Sequence, residues 1–296
     1  MKTYKNGLPF KSIETTEGQD AYKIFIDDLI ERVDTGKASL LIIDGGLGEG
    51  KTTLAIETGD YINSKKDLPP INFGGFQYSM GGKEFLKKLT KCYENGLAVC
   101  IYDESGDYNR RGALSGFNKI MNRAFEVFRA LRVLVILVLP SFHVLDGDLF
   151  TKGVVRGLAH CYGRTKDEGR FKVYELDRVN WIKEKMRGLP TKNLAYDKVY
   201  RNVGGFFLDL PKGRSIELDK VSTKGKIDIL IKAELSHDGM FSYRDICART
   251  GRSKRVIITL IRKLNLKAER KYKNELFFSK GVLDRISDHY KELDKV

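Results

Sequence analysis

The chain has few of the residues that mark disulfide-stabilised or zinc-stabilised proteins. Only four of its 296 residues are cysteine, and none of the four lies in C-x-x-C spacing. The four histidines do not cluster with them. This pattern argues against a structural zinc site or a disulfide framework and favours incidental thiols in a reducing compartment.

Long hydrophobic runs are missing as well. The most apolar run, 133–139, has the length of a strand and ends at Pro140, whereas a membrane-crossing helix needs roughly 18 or more apolar residues. The first ten residues, MKTYKNGLPF, contain no apolar core of the signal-peptide kind. We therefore expect no membrane span and a cytoplasmic protein.

Positive charge is abundant and unevenly distributed. The formal net charge is +14. Residues 211–296 carry 21 Lys or Arg and 12 Asp or Glu, so this smaller C-terminal part holds an excess of nine positive charges. Such an excess favours a polyanionic partner, although charge alone gives only non-specific attraction.

Apolar strand patterns alternate with amphipathic helix patterns along the first 140 residues. Strands are predicted at 39–43, 71–78, 97–102 and 131–139, and helices at 18–33, 51–63, 83–95 and 115–130. This alternation is typical of an α/β domain with a mainly parallel sheet flanked by helices. After Pro140, a hairpin with strands at 157–163 and 170–176 and a short strand within 199–210 are predicted to extend the sheet.

A glycine-rich loop follows the first buried strand. The segment 40–54 reads LLIIDGGLGEGKTTL and fits the pattern G-x-x-x-x-G-K-[ST]. Glycines let such a loop wrap its backbone N–H groups around a phosphate, and the following helix directs its dipole toward the anion. We expect Lys51 to reach the β- and γ-phosphates and the Thr52 hydroxyl to bind Mg²⁺. The predicted nucleotide-binding residues are Gly45, Gly46, Leu47, Gly48, Glu49, Gly50, Lys51, Thr52 and Thr53.

A second strand, in the segment AVCIYDE, ends in two carboxylates. Asp103 is expected at the carboxyl end of this strand, beside the glycine-rich loop, where it would hold Mg²⁺. Glu104 directly after it is suited to polarise an attacking water. Kinases that transfer phosphate to a bound hydroxyl do not generally need such a base, so the pair favours hydrolysis.

Phosphoryl transfer also needs a positive charge near the γ-phosphate. Arg129, near the end of the helix predicted at 115–130, is the arginine we select, and Arg132 follows shortly after it. An arginine that acts on a neighbouring subunit would require an oligomer. The other candidates in this stretch are Arg110, Arg111 and Arg123.

Residues 39–145 resemble a P-loop ATPase of the additional-strand, catalytic-glutamate division. The motifs GGLGEGKTT and CIYDE, with the arginine-containing helix and the later hairpin, resemble the HerA/FtsK superfamily of DNA motors and its viral and plasmid relatives, including zonula-occludens-toxin-like proteins. The resemblance implies ATP and Mg²⁺ as cofactors and a homo-oligomer. It also implies a polar γ-phosphate sensor after the next strand, for which Ser141 is suited and His143 is second. Many such motors carry Gln there, whereas this chain reads Leu139–Pro140–Ser141.

The basic C-terminal part resembles a winged helix-turn-helix domain. Ile227–Leu235 is predicted as its first helix, Ser242 and Asp245 come close to a capping box, and Ser253 is placed to cap a further helix whose buried face includes Val256. A basic hairpin around 271–274 would form the wing. The predicted DNA contacts are Arg252, Lys254, Arg255, Thr259, Arg262, Lys263, Lys271 and Lys273, and Arg270 adds charge to the wing.

These observations predict a P-loop ATPase domain at 1–211, a polar linker at 212–226 and a winged helix-turn-helix DNA-binding domain at 227–296. The favoured function is a DNA-associated ATPase that moves, packages or transfers DNA, in a virus, plasmid or mobile element and thus in the host cytoplasm. Protein partners from a DNA-processing complex fit this function. Two alternatives are an ATP-dependent assembly switch, such as a helicase loader or a regulator of transposition or replication initiation, and a small-molecule kinase or signalling NTPase with a regulatory tail.

Overall fold

The computed structural model describes residues 3–80, 82–103, 131–145, 148–151, 153–165, 167–185, 194–237, 240–272 and 275–293. The chain divides into two compact units, Met1–Ser222 and Thr223–Val296. Within the described ranges, no helix combines the length and the apolar character needed to cross a membrane.

The first unit is built on an eight-stranded mixed sheet with the order β1-β8-β7-β6-β2-β5-β4-β3. One part of the sheet is parallel: in order across it, each strand pairs in parallel with the next in the series β3, β4, β5, β2 and β6. The other part is antiparallel, with each strand pairing antiparallel to the next in the series β6, β7, β8 and β1. The strands are β1 Phe10–Ser12, β2 Leu40–Gly45, β3 Tyr78–Ser79, β4 Val99–Tyr102, β5 Leu134–Leu139, β6 Val155–Tyr162, β7 Glu168–Glu175 and β8 Val203–Leu208.

Helices connect the strands of the parallel part of the sheet, as the alternating sequence pattern predicts, and further helices follow its antiparallel strands. Each is listed with its bounds: α1 Ala21–Asp34, α2 Lys51–Ser64, α3 Gly82–Glu94, α4 Asp148–Thr151, α5 Leu176–Lys185, α6 Leu194–Asp197 and α7 Lys212–His237. A short 3₁₀ turn, Phe142–Val144, follows β5. The helix predicted at 115–130 lies outside the described residues.

The central strand β2 is buried on both faces. Leu41 and Ile43 belong to the core beneath α1 and α2, whereas Leu40 and Ile42 belong to the core on the other face. A strand with helices on both sides has no solvent-facing side, which is why its sequence is a continuous apolar run. This burial fixes the position at which β2 ends, and hence the position of the loop that follows.

The segment 212–226, expected as a polar linker, is helical instead. It forms the first part of α7, because Leu218 and Val221 pack onto the core of the sheet domain and stabilise a helix despite Gly213 and Gly225. The predicted strand at 71–78 is reduced to Tyr78–Ser79. Strand β1, which pairs with β8, was not predicted because the sequence around it is largely polar.

The second unit combines helices with a three-stranded antiparallel sheet of order β10-β11-β9. Ser242 and Asp245 form the predicted capping box, and Gly251 ends the capped helix in a left-handed turn. Val256 is 43% exposed and lies outside the buried face, which is formed by Ile257, Leu260 and Ile261. Ser253 occupies the predicted N-cap position without a side-chain cap hydrogen bond. The elements after α7 are β9 Phe241–Ser242, α8 Tyr243–Thr250, α9 Lys254–Lys263, β10 Arg270–Tyr272, β11 Glu275–Phe278 and α10 Lys280–Leu293.

Candidate nucleotide-binding site

Three parallel strands end at one edge of the sheet and bring the predicted site together. Strand β2 leads into the glycine-rich loop, β4 leads to Asp103, and β5 leads through Pro140 to Ser141. Asp44 at the end of β2 pairs in register with Leu139 of β5. Ligands bind at this edge in open α/β sheets, because the strand ends leave a crevice there.

The loop conformation requires glycine at three positions. Gly45, Gly48 and Gly50 have φ angles of 147°, 79° and 80°, which non-glycine residues seldom adopt. Close neighbours add a second constraint, because a Cβ at Gly45 would lie 2.4 Å from the carbonyl oxygen of Cys161. The glycines of this loop therefore correspond to a backbone shape that other residues adopt only with strain.

Helix α2 begins directly at this loop with an open N-terminus. Gly50 is its N-cap and contributes no side-chain cap, so the first backbone N–H groups and the helix dipole are available to an anion. Lys51 donates a 2.6 Å hydrogen bond from Nζ to the carbonyl oxygen of Gly46 and so folds back across the loop. Leu47 at the loop tip is 89% exposed.

The residues predicted to hold a metal ion meet at this edge. Thr52 lies with its Oγ1 3.2 Å from Oδ1 of Asp103, to which it donates. Tyr78 donates a 2.6 Å hydrogen bond to the other carboxylate oxygen, Oδ2. Asp103 is only 4% exposed. A hydroxyl and a carboxylate oxygen are donors that Mg²⁺ accepts beside nucleotide phosphates, so the residues fit this ion.

A buried polar cluster beneath the loop was missed by sequence analysis. The carboxylate of Asp44, 1% exposed, accepts hydrogen bonds from the backbone N–H of Phe142 (3.0 Å) and from the hydroxyl of Tyr196, and lies 2.8 Å from Nδ1 of His160. The rings of His160 and Tyr196 are stacked at 3.7 Å. Burial, and then the nearby Asp44 charge, raise the pKa of Tyr196, so this hydroxyl keeps its proton as the donor.

This cluster joins four elements that are distant in sequence. Asp44 is the second-last residue of β2, His160 lies on β6, Phe142 follows β5 and Tyr196 lies on α6. The only sequence signal was an acidic residue inside the apolar run LLIIDGG, and a buried carboxylate of this kind demands partners. It fixes the base of the loop against the strand end that leads to Ser141.

Of the remaining predicted catalytic residues, only some lie within the described part of the chain. Ser141 is partly buried at the strand edge beside the loop. Glu104, Arg110, Arg111, Arg123 and Arg129 lie outside the described residues. Arg132 precedes β5 and therefore lies at the opposite edge of the sheet, away from the loop of its own chain.

The predicted DNA contacts among the described residues lie in the second unit and face solvent. On α9, Arg255, Thr259 and Arg262 follow one another at helical spacing on the side away from the buried face. Lys273 lies outside the described residues. The other exposed members are Arg252, Lys254, Lys263 and Lys271.

Comparisons with known proteins give only distant likenesses. No protein-family model matches the chain, and no curated protein does. Among solved structures, the replication initiator DnaA bound to AMPPCP and single-stranded DNA shares 14% identity, with 83% of this chain and 72% of that chain covered and a TM-score of 0.28. The flagellar accessory protein FlaH from Methanocaldococcus jannaschii shares 16% identity, with 56% and 88% covered and a TM-score of 0.24.

The chain's own geometry defines its class. A buried parallel strand, a loop with left-handed glycines, a helix that begins at Lys51 and a strand-end carboxylate in contact with Thr52 together make a P-loop NTPase fold.

Proposed function

We propose that the chain is a DNA-associated ATPase that hydrolyses Mg²⁺-ATP and uses the cycle to move, package or transfer DNA. The contact between Thr52 and Asp103 is the observation that carries the proposal. It joins the hydroxyl of the phosphate loop to the carboxylate of a neighbouring strand, which is the pair that holds Mg²⁺ on the β- and γ-phosphates in P-loop enzymes. The absence of an Asn/Thr-Lys-x-Asp guanine-reading segment in the sequence favours ATP.

The loop supplies most of the phosphate binding. Its N–H groups and the N-terminus of α2 surround the anion. Lys51 exchanges its hydrogen bond with Gly46 for the phosphate oxygens. Magnesium, held by Thr52 and Asp103, would neutralise charge that develops on the β- and γ-phosphate oxygens.

The chemical step is attack of water on the γ-phosphorus. The new oxygen–phosphorus bond forms as the bond to the bridging oxygen breaks, and ADP and inorganic phosphate leave. Glu104 follows Asp103 directly in sequence, and we assign it the role of the base that orients the water and accepts its proton. Arg129 and Ser141 are assigned to the γ-phosphate, with Arg129 able to act on a neighbouring subunit in a homo-oligomer.

The second unit supplies the proposed link to DNA. We assign its capped helix α8, the left-handed turn at Gly251 and helix α9 to a helix-turn-helix, and the hairpin of β10 and β11 to its wing; the order of these elements supports the assignment. Helix α9 presents Arg255 and Arg262 to solvent, where they would contact phosphates and bases in the major groove. DNA binding is assigned to residues 227–296, and the first part of helix α7 takes the place of the linker expected at 212–226.

The test is a steady-state ATPase assay with and without double-stranded and single-stranded DNA, combined with the mass in solution with ATP. A motor predicts DNA-stimulated turnover by a ring-sized oligomer, whereas slow turnover with ATP-dependent assembly would identify a switch. An ATPase rate that DNA does not change would reject both the motor and the switch and favour a kinase or signalling NTPase. Lys51→Ala should abolish tight ATP binding, and Glu104→Gln should keep binding but lose hydrolysis. Full activity in Glu104→Gln would remove that residue from the mechanism.

A further inference from the structure

The turn between β6 and β7 brings an arginine to the phosphate loop that no motif indicates. The backbone N–H of Arg164 donates a 3.0 Å hydrogen bond to the carboxylate of Glu49. Its Nη1 lies 3.2 Å from the position that a Cβ would occupy on Gly50, the N-cap of α2. A second cation therefore lies beside the helix terminus, where Lys51 provides the first.

Sheet order determines which part of a nucleotide this arginine faces. Strand β2 lies between β5 and β6, and Asp103 follows β4 on the far side of β5. Arg164 therefore lies on the side of the loop opposite to the contact of Thr52 with Asp103. Because that contact marks the metal-bearing end of the triphosphate, the α-phosphate and the nucleoside extend toward the turn that carries Arg164.

The guanidinium of Arg164 is already paired, but with a partner that it can exchange. It forms an ion pair with Asp209, and the two side chains are 31% and 25% exposed. Partly exposed ion pairs of this kind contribute little to stability. A phosphate oxygen next to a helix N-terminus offers the guanidinium another charge-assisted acceptor, so the exchange of partners costs little.

We propose that Arg164 releases Asp209 and binds the α-phosphate of the bound nucleotide. This inference rests on the proposed nucleotide site and adds a phosphate-contacting residue to it. Glu49 holds the Arg164 backbone against the loop, so the guanidinium needs only a change of side-chain conformation to reach the ligand. Since ATP and ADP share the α-phosphate, the contact contributes equally to the binding of both.

The test measures the affinities of ATP and ADP, with Mg²⁺ present, by titration calorimetry. Arg164→Gln should weaken both nucleotides by roughly tenfold, the scale of one charge-assisted hydrogen bond, and Arg164→Lys should lose less. Arg170→Gln is the matched control. This substitution removes the same charge from the same hairpin. Arg170 is exposed, whereas its neighbours Gly169 and Phe171 are buried on the other face of the strand. Thermal melts verify that each variant is folded.

Each outcome decides the question. An equal loss for ATP and ADP in Arg164→Gln, with Arg170→Gln within about twofold of the parent, supports a contact with a phosphate that both nucleotides carry, as the proposal requires. A loss confined to ATP would place the arginine at the γ-phosphate and overturn the inference, as would an equal loss in Arg170→Gln. Parent-like binding in Arg164→Gln, with none in Lys51→Ala, overturns the inference and leaves the nucleotide site intact. If the parent bound neither nucleotide, both the inference about Arg164 and the proposed function would be wrong.

Discussion

Tyr78 donates a 2.6 Å hydrogen bond to Oδ2 of Asp103, while Thr52 donates to Oδ1 from 3.2 Å. The tyrosine is fully buried and lies on β3, the strand next to β4. Each oxygen of the carboxylate thus accepts a hydrogen bond from a different element. A metal-binding carboxylate held in this way loses less conformational freedom when the ion binds.

Tyr78→Phe should therefore lower Mg²⁺-dependent ATP hydrolysis by roughly tenfold, because a partner that orients a metal ligand typically contributes about 10–100-fold. The effect should appear as a higher Mg²⁺ concentration for half-maximal rate, with ATP in excess. Tyr93→Phe, at an exposed position on α3, serves as the control. An unchanged Mg²⁺ requirement in Tyr78→Phe would show that the hydrogen bond only supports the fold.

The phosphate loop and Asp103 were predictable because their signals are local. Each lies within a few residues of a buried strand, and the glycine pattern encodes the loop shape directly. Tyr78, His160 and Tyr196 were not predictable, since tertiary packing alone brings them to their carboxylate partners. Arg164 was missed for the same reason, because the return of the hairpin to the loop depends on the order of the sheet.

Alanine substitutions at Gly50 and Gly48 distinguish the cost of backbone strain from the cost of a steric collision in the same loop. The φ angles of the two glycines are 80° and 79°, so alanine at either position adopts a left-handed conformation that costs about 1–2 kcal/mol. Only at Gly50 would the new Cβ collide with Phe207, at 2.7 Å from Cζ, whereas nothing lies within 4 Å at Gly48. Gly50→Ala should therefore lower the free energy of unfolding more than Gly48→Ala by about 1–3 kcal/mol, measured by urea denaturation. Equal losses would mean that Phe207 moves aside freely.

The buried carboxyl of Glu57 on α2 should make the free energy of unfolding fall as the pH rises. It is 1% exposed, and burial, followed by repulsion from Asp60, raises its pKa from 4.5 to about 8, partly offset by Arg214. The folded state therefore keeps a proton that the unfolded state releases, so this contribution is complete below about pH 4.5 and is lost as pH rises toward 8. Glu57→Gln should flatten that decline and make the variant more stable than the parent at pH 8, by an amount on the order of a few kcal/mol.

Denaturant unfolding of both proteins at pH 5 and pH 8 measures this difference directly. Asp60 also has a pKa raised by burial, but it is present in both proteins and its effect cancels in the comparison to first order. Glu31→Gln, at an exposed position on α1, should leave the pH profile unchanged. A Glu57→Gln profile parallel to that of the parent would show that this carboxyl is ionised in the folded protein.

Arg255 and Arg262 offer the sharpest test of the proposed DNA contact. Both are exposed on the same side of α9, separated from the buried Ile257, Leu260 and Ile261, so glutamine at both positions should leave the fold intact. If each contacts a phosphate, the double variant should bind DNA more weakly and reduce the slope of log affinity against log salt concentration by about 2. The comparison is Lys280→Gln with Arg285→Gln, which removes the same charge from α10 of the same unit. A matching loss in both double variants would mean that the net charge of the unit, rather than the face of α9, attracts DNA.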